Sequence, residues 1–234
     1  ERIVRDYADQ KDVVLRARQR LARLGGAAAD VLAVPRRLQT VPDANACMRP
    51  SPDGTRFSVA EGYAAENLAI RNVKDGSLRS LTREPVPAGP TVTPFVTSSA
   101  WAPDGGQIAY SWAKHGVREL RIIDAATGIS RVLWSNPAGT EQLDGVVDWV
   151  PATNAIAACF ATAGQAELRF IDSSTGRSAA KLAVPDCAST ARVSPDGRYV
   201  AIESTRSSDR VNVDISLLPV SPGPAVPLVQ HPAT

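Results

Sequence analysis

Aspartates beside glycines are the first residues in this sequence whose types and spacing could do chemistry. Asp53, Asp104 and Asp196 stand in the phrases SPDG (51–54), APDG (102–105) and SPDG (194–197). Recurring carboxylates can hold calcium, but a calcium loop needs several oxygens at alternating positions, and this phrase offers too few. Turn formation is the better reading. Proline presets φ, aspartate bonds nearby amides, and glycine takes the positive φ that closes a hairpin. Asp144 and Asp148, near Trp149, have the residue types of an acid/base pair, though nothing else in the sequence supports one. DAATGIS (124–130) and DSSTGRS (172–178) hold hydroxyls beside a glycine, as phosphate loops do. They lie between strand-like stretches and read as hairpin turns. GxSxG, HExxH, GxxxxGK[ST] and GxGxxG are all absent. The sequence therefore assigns no catalytic residue, no cofactor-binding residue and no metal ligand.

Cys47, Cys159 and Cys187 are scattered without CxxC or paired spacing, and they read as buried thiols acting as small apolar residues, with a disulfide or metal site as the alternative. The two histidines, His115 and His231, lie far apart in loop-like stretches, which argues against a zinc centre. Trp101, Trp112, Trp134 and Trp149 read as core or packing residues, with one of them a candidate for lining a binding surface.

The elements that must position these residues repeat. ELRIIDAATG (119–128) returns as ELRFIDSSTG (167–176), 48 residues later. The turn prolines stand at 52, 103, 151 and 195, at intervals of 51, 48 and 44, the third in the drifted phrase VPAT. Both markers therefore belong to one repeating unit, and a period of 40–50 residues is a sign of propellers and arrays. Five residues after each proline comes Phe57, Ile108, Ile156 or Val200; next comes Ser58, Ala109, Ala157 or Ala201; then Val59, Tyr110, Ala158 or Ile202. Large and small residues alternating, apolar on both faces, describe a strand buried between two neighbouring sheets. A third strand follows at 66–72, in the two ELR phrases and at 213–219, then a glycine turn and a fourth strand. Four antiparallel strands per unit make a β-propeller blade. The chain is read as mainly β, with four blades over about 46–81, 97–134, 145–183 and 189–229, inside a domain spanning 31–234.

Residues 1–24 hold no glycine or proline, and Ile3, Tyr7, Val14, Ala17, Leu21 and Leu24 form one apolar stripe on a helix. Acids crowd its first half and arginines its second, which suits the helix dipole. Residues 1–30 are thus read as an α-helical segment, and 31–41 as a strand that completes the last blade. Apolar residues make up 44% of the 234, charged residues 21%, and the net charge is +2, which gives no strong pull toward nucleic acid or an anionic membrane. All apolar runs fall well short of the roughly 18 residues of a membrane helix. No signal peptide is visible, and a first residue of Glu1 rather than Met suggests a processed protein or an excised piece.

The SPDG turns, the tryptophans before them and the ELRxID…TG strand pair resemble the TolB-type, WD-repeat-like propeller family over residues 42–231. The closing PLVQHPAT resembles the linker that leads into another blade in that family, which implies a parent of six or seven blades. RIVRDYADQKDVVLRARQRLARLGG resembles the end of a tetratricopeptide-type helical repeat. These resemblances imply a noncatalytic propeller that binds a protein or peptide, periplasmic or exported, with no cofactor. The alternative is the regulatory propeller of a prolyl-oligopeptidase-type serine peptidase. Four blades need not close into a ring, and an open arc would expose Val200 and Ile202 on the face of its last blade. The expected consequence is self-association of the chain.

Overall fold

The structure is a computed structural model that describes residues 49–61, 67–83, 95–114, 116–136, 141–162, 165–184, 191–205 and 213–229. The helix expected over 1–24, the strand expected within 31–41, and Cys47, Cys187, His115 and His231 lie outside them. All the described elements belong to one unit, Val41–Thr234.

Sixteen strands form four four-stranded antiparallel sheets, each in simple chain order. The first sheet holds β1 (Arg49–Pro50), β2 (Arg56–Glu61), β3 (Asn67–Asn72) and β4 (Leu78–Ser80). The second holds β5 (Phe95–Trp101), β6 (Gln107–Lys114), β7 (Val117–Asp124) and β8 (Ser130–Asn136). The third holds β9 (Gln142–Val150), β10 (Ala155–Thr162), β11 (Gln165–Asp172) and β12 (Ser178–Val184). The fourth holds β13 (Arg192–Val193), β14 (Tyr199–Thr205), β15 (Val213–Pro219) and β16 (Val226–Val229). The four repeats read from the sequence are these four sheets.

The turns carry the repeat's chemistry. Gly54, Gly105 and Gly197 take φ of 68°, 70° and 71°, and in the drifted third unit Asn154 takes the left-handed position at φ 52°. Asparagine is among the few residues with a side chain that tolerate this region. Ser51 Oγ donates to Asp53 Oδ1, and Asp53 Oδ1 accepts the Thr55 amide. These bonds, that of the Ser51 hydroxyl foremost, hold the Asp53 carboxyl down at about 2. At the other turn, Asp172 Oδ1 accepts the amides of Ser174 and Thr175 and both their hydroxyls, and its pKa also falls to about 2. The aspartates are turn builders, and the hydroxyls beside them satisfy carboxylates rather than a phosphate.

Three apolar layers lie between successive sheets. Leu68, Ile70, Trp101, Ile108 and Tyr110 fill the first; Ala109, Leu120, Val146, Trp149, Ile156 and Phe160 the second; Val147, Ala157, Leu168, Phe170 and Val200 the third. β6 and β10 are buried on both faces, as expected for strands sandwiched between sheets. β14 departs from that expectation. Val200 and Ile202 are buried in the third layer and face the third sheet, so they are not the exposed face of the fourth. Strand residues alternate sides, so the far face of the fourth sheet carries Tyr199, Ala201 and Leu217 instead.

The ELR phrase explains its own repetition. Arg121 Nε donates to Glu119 Oε2 at 2.6 Å, and its guanidinium stacks 3.8 Å from the ring of Trp112, which pairs with Glu119 across the sheet. Arg169 likewise pairs with Glu167 and stacks 4.4 Å from Phe160, which pairs with Glu167. Each copy of the phrase places a guanidinium over an aromatic ring.

The reading of the three cysteines as thiols is corrected at one of them. Cys159 is disulfide-bonded, with its partner outside the described residues. Three cysteines without paired spacing do not show which of them are bonded.

Candidate functional site

The first strands of the four sheets, β1, β5, β9 and β13, meet around one cavity of about 510 Å³. Small residues let them approach. Ser58 and Ser99 hydroxyls share a buried 2.8 Å hydrogen bond between the first and second sheets. Gly145 lies against Ser98, where a Cβ would come 2.7 Å from the hydroxyl oxygen, and that oxygen accepts the Val146 amide at 2.6 Å. Any larger side chain at 145 would push the second and third sheets apart.

The cavity opens beside the proline turns. Pro52, Pro103 and Pro151 line it, together with the residue three places before each turn proline: Arg49, Ala100, Asp148 and Arg192. One repeat position therefore delivers a side chain from every sheet to the same place. Trp101 and Trp149 complete the wall.

Hydrogen bonds hold these groups in place. Trp101 Nε1 donates to the Arg49 carbonyl at 3.0 Å, and Arg56 stacks 4.9 Å from the Trp101 ring while its Nη2 donates to the Gly105 carbonyl. Trp149 Nε1 donates to Asn154 Oδ1 at 2.9 Å, so the asparagine that closes the third turn also fixes a wall of the cavity. Arg49 Nη2 donates to the Val147 carbonyl at 3.3 Å, and Arg192 Nη1 to the Ala191 carbonyl at 2.6 Å. Asp148 accepts the Trp149 amide on Oδ1 and the Val193 amide on Oδ2. Its carboxylate thus ties the third sheet to the fourth.

This geometry separates Asp148 from Asp144. Four residues along a strand rising about 3.3 Å each put their backbones about 13 Å apart. Asp144 is exposed and does not line the cavity. They do not form an acid/base pair. Among the described residues, no group of three or more His, Cys, Asp or Glu could hold a metal ion. No helix there is long and apolar enough to cross a membrane. Of the tryptophans, Trp101 and Trp149 line the cavity, Trp112 is buried against Arg121, and Trp134 meets the Phe160 ring edge-on at 4.9 Å. Arg49 and Arg192 were not singled out in the sequence. The signal was present, since reading the position three before each turn proline returns Arg, Ala, Asp and Arg.

No protein-family model matches the chain, and no curated protein matches it by sequence. Solved structures do. TolB from Acinetobacter baumannii is similar at a TM-score of 0.59 and 14% identity, over 84% of this chain and 46% of that one. A TolB protein of Agrobacterium tumefaciens is similar at 0.59 and 19% identity, over 80% of this chain and 65% of that one. Prolyl endopeptidases are similar at 0.52 and 15% identity, over 81% of this chain and 30% of theirs. The shared feature is the β-propeller fold. The chain spans about half the length of the Acinetobacter protein and under two thirds of the Agrobacterium one.

Proposed function

We propose that this chain is a noncatalytic binding propeller whose cavity, where the first strands meet, receives a segment of a protein or peptide partner. One observation carries the reading. A single repeat position supplies Arg49, Ala100, Asp148 and Arg192 from the four sheets to one cavity, where a purely structural repeat would be free to use the same small residue four times. Rigid walls of tryptophan and proline suit a peptide, because little side-chain entropy is lost on binding. Among the described residues, the titratable groups that line the cavity are Arg49, Asp148 and Arg192.

A bacterial envelope location fits the likeness to TolB and the disulfide at Cys159, since disulfides persist in oxidising compartments. The likeness to prolyl endopeptidases supports a second reading, in which the propeller governs access to a peptidase domain in a longer polypeptide.

Phage-displayed heptapeptides panned on the chain test the first reading, with fluorescence anisotropy of the selected peptides as the measure. Saturable binding is expected, lost when Arg192→Trp fills the mouth while the thermal midpoint is unchanged. Failure to select any peptide, or binding that survives Arg192→Trp, would refute it.

A further inference from the structure

Cys159 is disulfide-bonded, and the chain holds two other cysteines that can partner it, Cys47 and Cys187. Cys159 stands on β10 and is buried in the third apolar layer, between the third and fourth sheets. The chain on either side of Cys187 packs into that same layer, through Val184 at the end of β12 and Ala191 just before β13. Cys187 follows Val184 by three residues and precedes Ala191 by four. A chain spans at most about 3.6 Å per residue, so the Cα of Cys187 lies within about 11 Å of one anchor and about 14 Å of the other. A disulfide needs its two Cα atoms about 4–7 Å apart. Both anchors touch the layer that holds Cys159, so the connector can bring Cys187 to it without disturbing either sheet.

Cys47 is tied elsewhere. It precedes Arg49 of β1, in the first sheet, by two residues. The long Arg49 side chain ends at the Val147 carbonyl of β9. Cys159 lies one strand further on, paired with Gly145 of β9 and Leu168 of β11, in the layer that faces the fourth sheet. The first sheet packs on the second, and the second and third sheets separate it from that layer. Packed sheets lie about 10 Å apart, too far for one cysteine side chain to cross.

We infer that Cys159 is bonded to Cys187, fastening the chain that enters the fourth sheet to the third sheet, and that Cys47 keeps its thiol. Forming the bond takes a disulfide oxidant. One cysteine thiolate attacks the oxidant's S–S bond and gives a mixed disulfide; the second thiolate then displaces the oxidant's remaining sulfur. Both cysteines lose their protons, one S–S bond forms, and the oxidant leaves as a dithiol carrying two electrons. The position gives the bond a use. Arg192, which lines the cavity, stands on a strand of two residues, Arg192–Val193. Asp148 holds the Val193 amide on one side of Arg192, and Cys187 precedes it by five residues on the other.

Peptide mapping of the oxidised protein is the test. The chain is unfolded with N-ethylmaleimide to block free thiols, digested with trypsin without reduction, and analysed by mass spectrometry. Cleavage after Arg and Lys, which spares Arg49 because Pro50 follows it, puts the cysteines in separate peptides, 38–56, 132–169 and 182–192. Peptide 132–169 is expected joined to 182–192, with 38–56 carrying one maleimide. Peptide 132–169 joined to any other peptide, or itself carrying maleimide, overturns the inference. Cys47→Ser should leave the crosslink in place and no thiol to titrate before reduction. Loss of the crosslink in that variant overturns the inference too. The mapping of the wild-type chain needs no variant, so it decides the pairing even where Cys47→Ser misfolds.

Discussion

A methyl group on Gly176 would stand 2.5 Å from the carbonyl oxygen of Leu133. The glycine turn of the third sheet lies directly on the last strand of the second, with no room for a side chain. The first and second sheets repeat the arrangement, with Gly128 against the Leu81 carbonyl at 3.3 Å. An arginine clips each junction. Arg131 donates to the Ser173 carbonyl, and Arg79 donates to the carbonyls of Ala125 and Ala126.

Substituting two glycines with alanine separates backbone strain from this contact. Gly54 and Gly176 share a left-handed φ, at 68° and 73°, but a Cβ at 54 meets nothing within 4 Å. Gly54→Ala should cost about 1–2 kcal/mol, the strain alone. Gly176→Ala should cost at least about 1 kcal/mol more, because the second and third sheets must separate. Urea denaturation midpoints measure both. Equal losses would show that the junction yields freely.

Acid should loosen the third sheet through Arg169. This residue pairs with Glu141 and Glu167 and stacks on Phe160. Its hydrogen bonds hold both carboxyls below the usual value of 4.5. A carboxyl whose pKa is lowered by folding adds stability that is fully present above about pH 4.5 and lost as pH falls through the lowered value. Glu141→Gln with Glu167→Gln should therefore flatten the fall in stability below pH 4.5. Arg169→Ala should cost about 1–3 kcal/mol at pH 7, losing the ion pairs and the ring contact together. Thermal melts from pH 7 to pH 3 check this, and parallel curves for wild type and the double variant would rule the network out as the acid-sensitive element.

Much of this fold was legible because each unit writes its instructions locally. Proline, aspartate and glycine fix a turn within four residues, and a strand buried on both faces shows its alternation within three. The fourth sheet misled for the same reason. Val200 and Ile202 match the pattern of a doubly covered strand, but which side is covered depends on a neighbouring sheet. The cavity was less legible, since Arg49, Asp148 and Arg192 come together only when the first strands converge. The disulfide at Cys159 was only an alternative in the sequence, because three cysteines without paired spacing do not show which of them are bonded.

Thiol titration should show the disulfide directly. The chain holds three cysteines and Cys159 is bonded, so the oxidised protein unfolded in guanidinium should expose one thiol per chain, and three after reduction. Reduction should also lower stability by about 2–4 kcal/mol, the usual contribution of such a bond. Three thiols titrating before reduction would show that the bond does not form.

The far face of the fourth sheet should bring two copies of the chain together. On the third sheet, Ala157, Leu168 and Phe170 are buried where the fourth sheet covers them. The corresponding face of the fourth sheet presents Ala201, Ile215 and Leu217, half-buried, beside Val226 and Val229, which are 49% and 51% exposed. This is the residue pattern of an inter-sheet layer, and another copy of the same face is self-complementary to it. The sedimentation coefficient should rise with protein concentration. Leu217→Glu should abolish that rise, since a carboxylate buried without a partner is costly. The melting profile at low concentration should barely change, because the residue lies off the three packed layers. A sedimentation coefficient independent of concentration in the wild-type chain would mean that this face stays uncovered by a second copy.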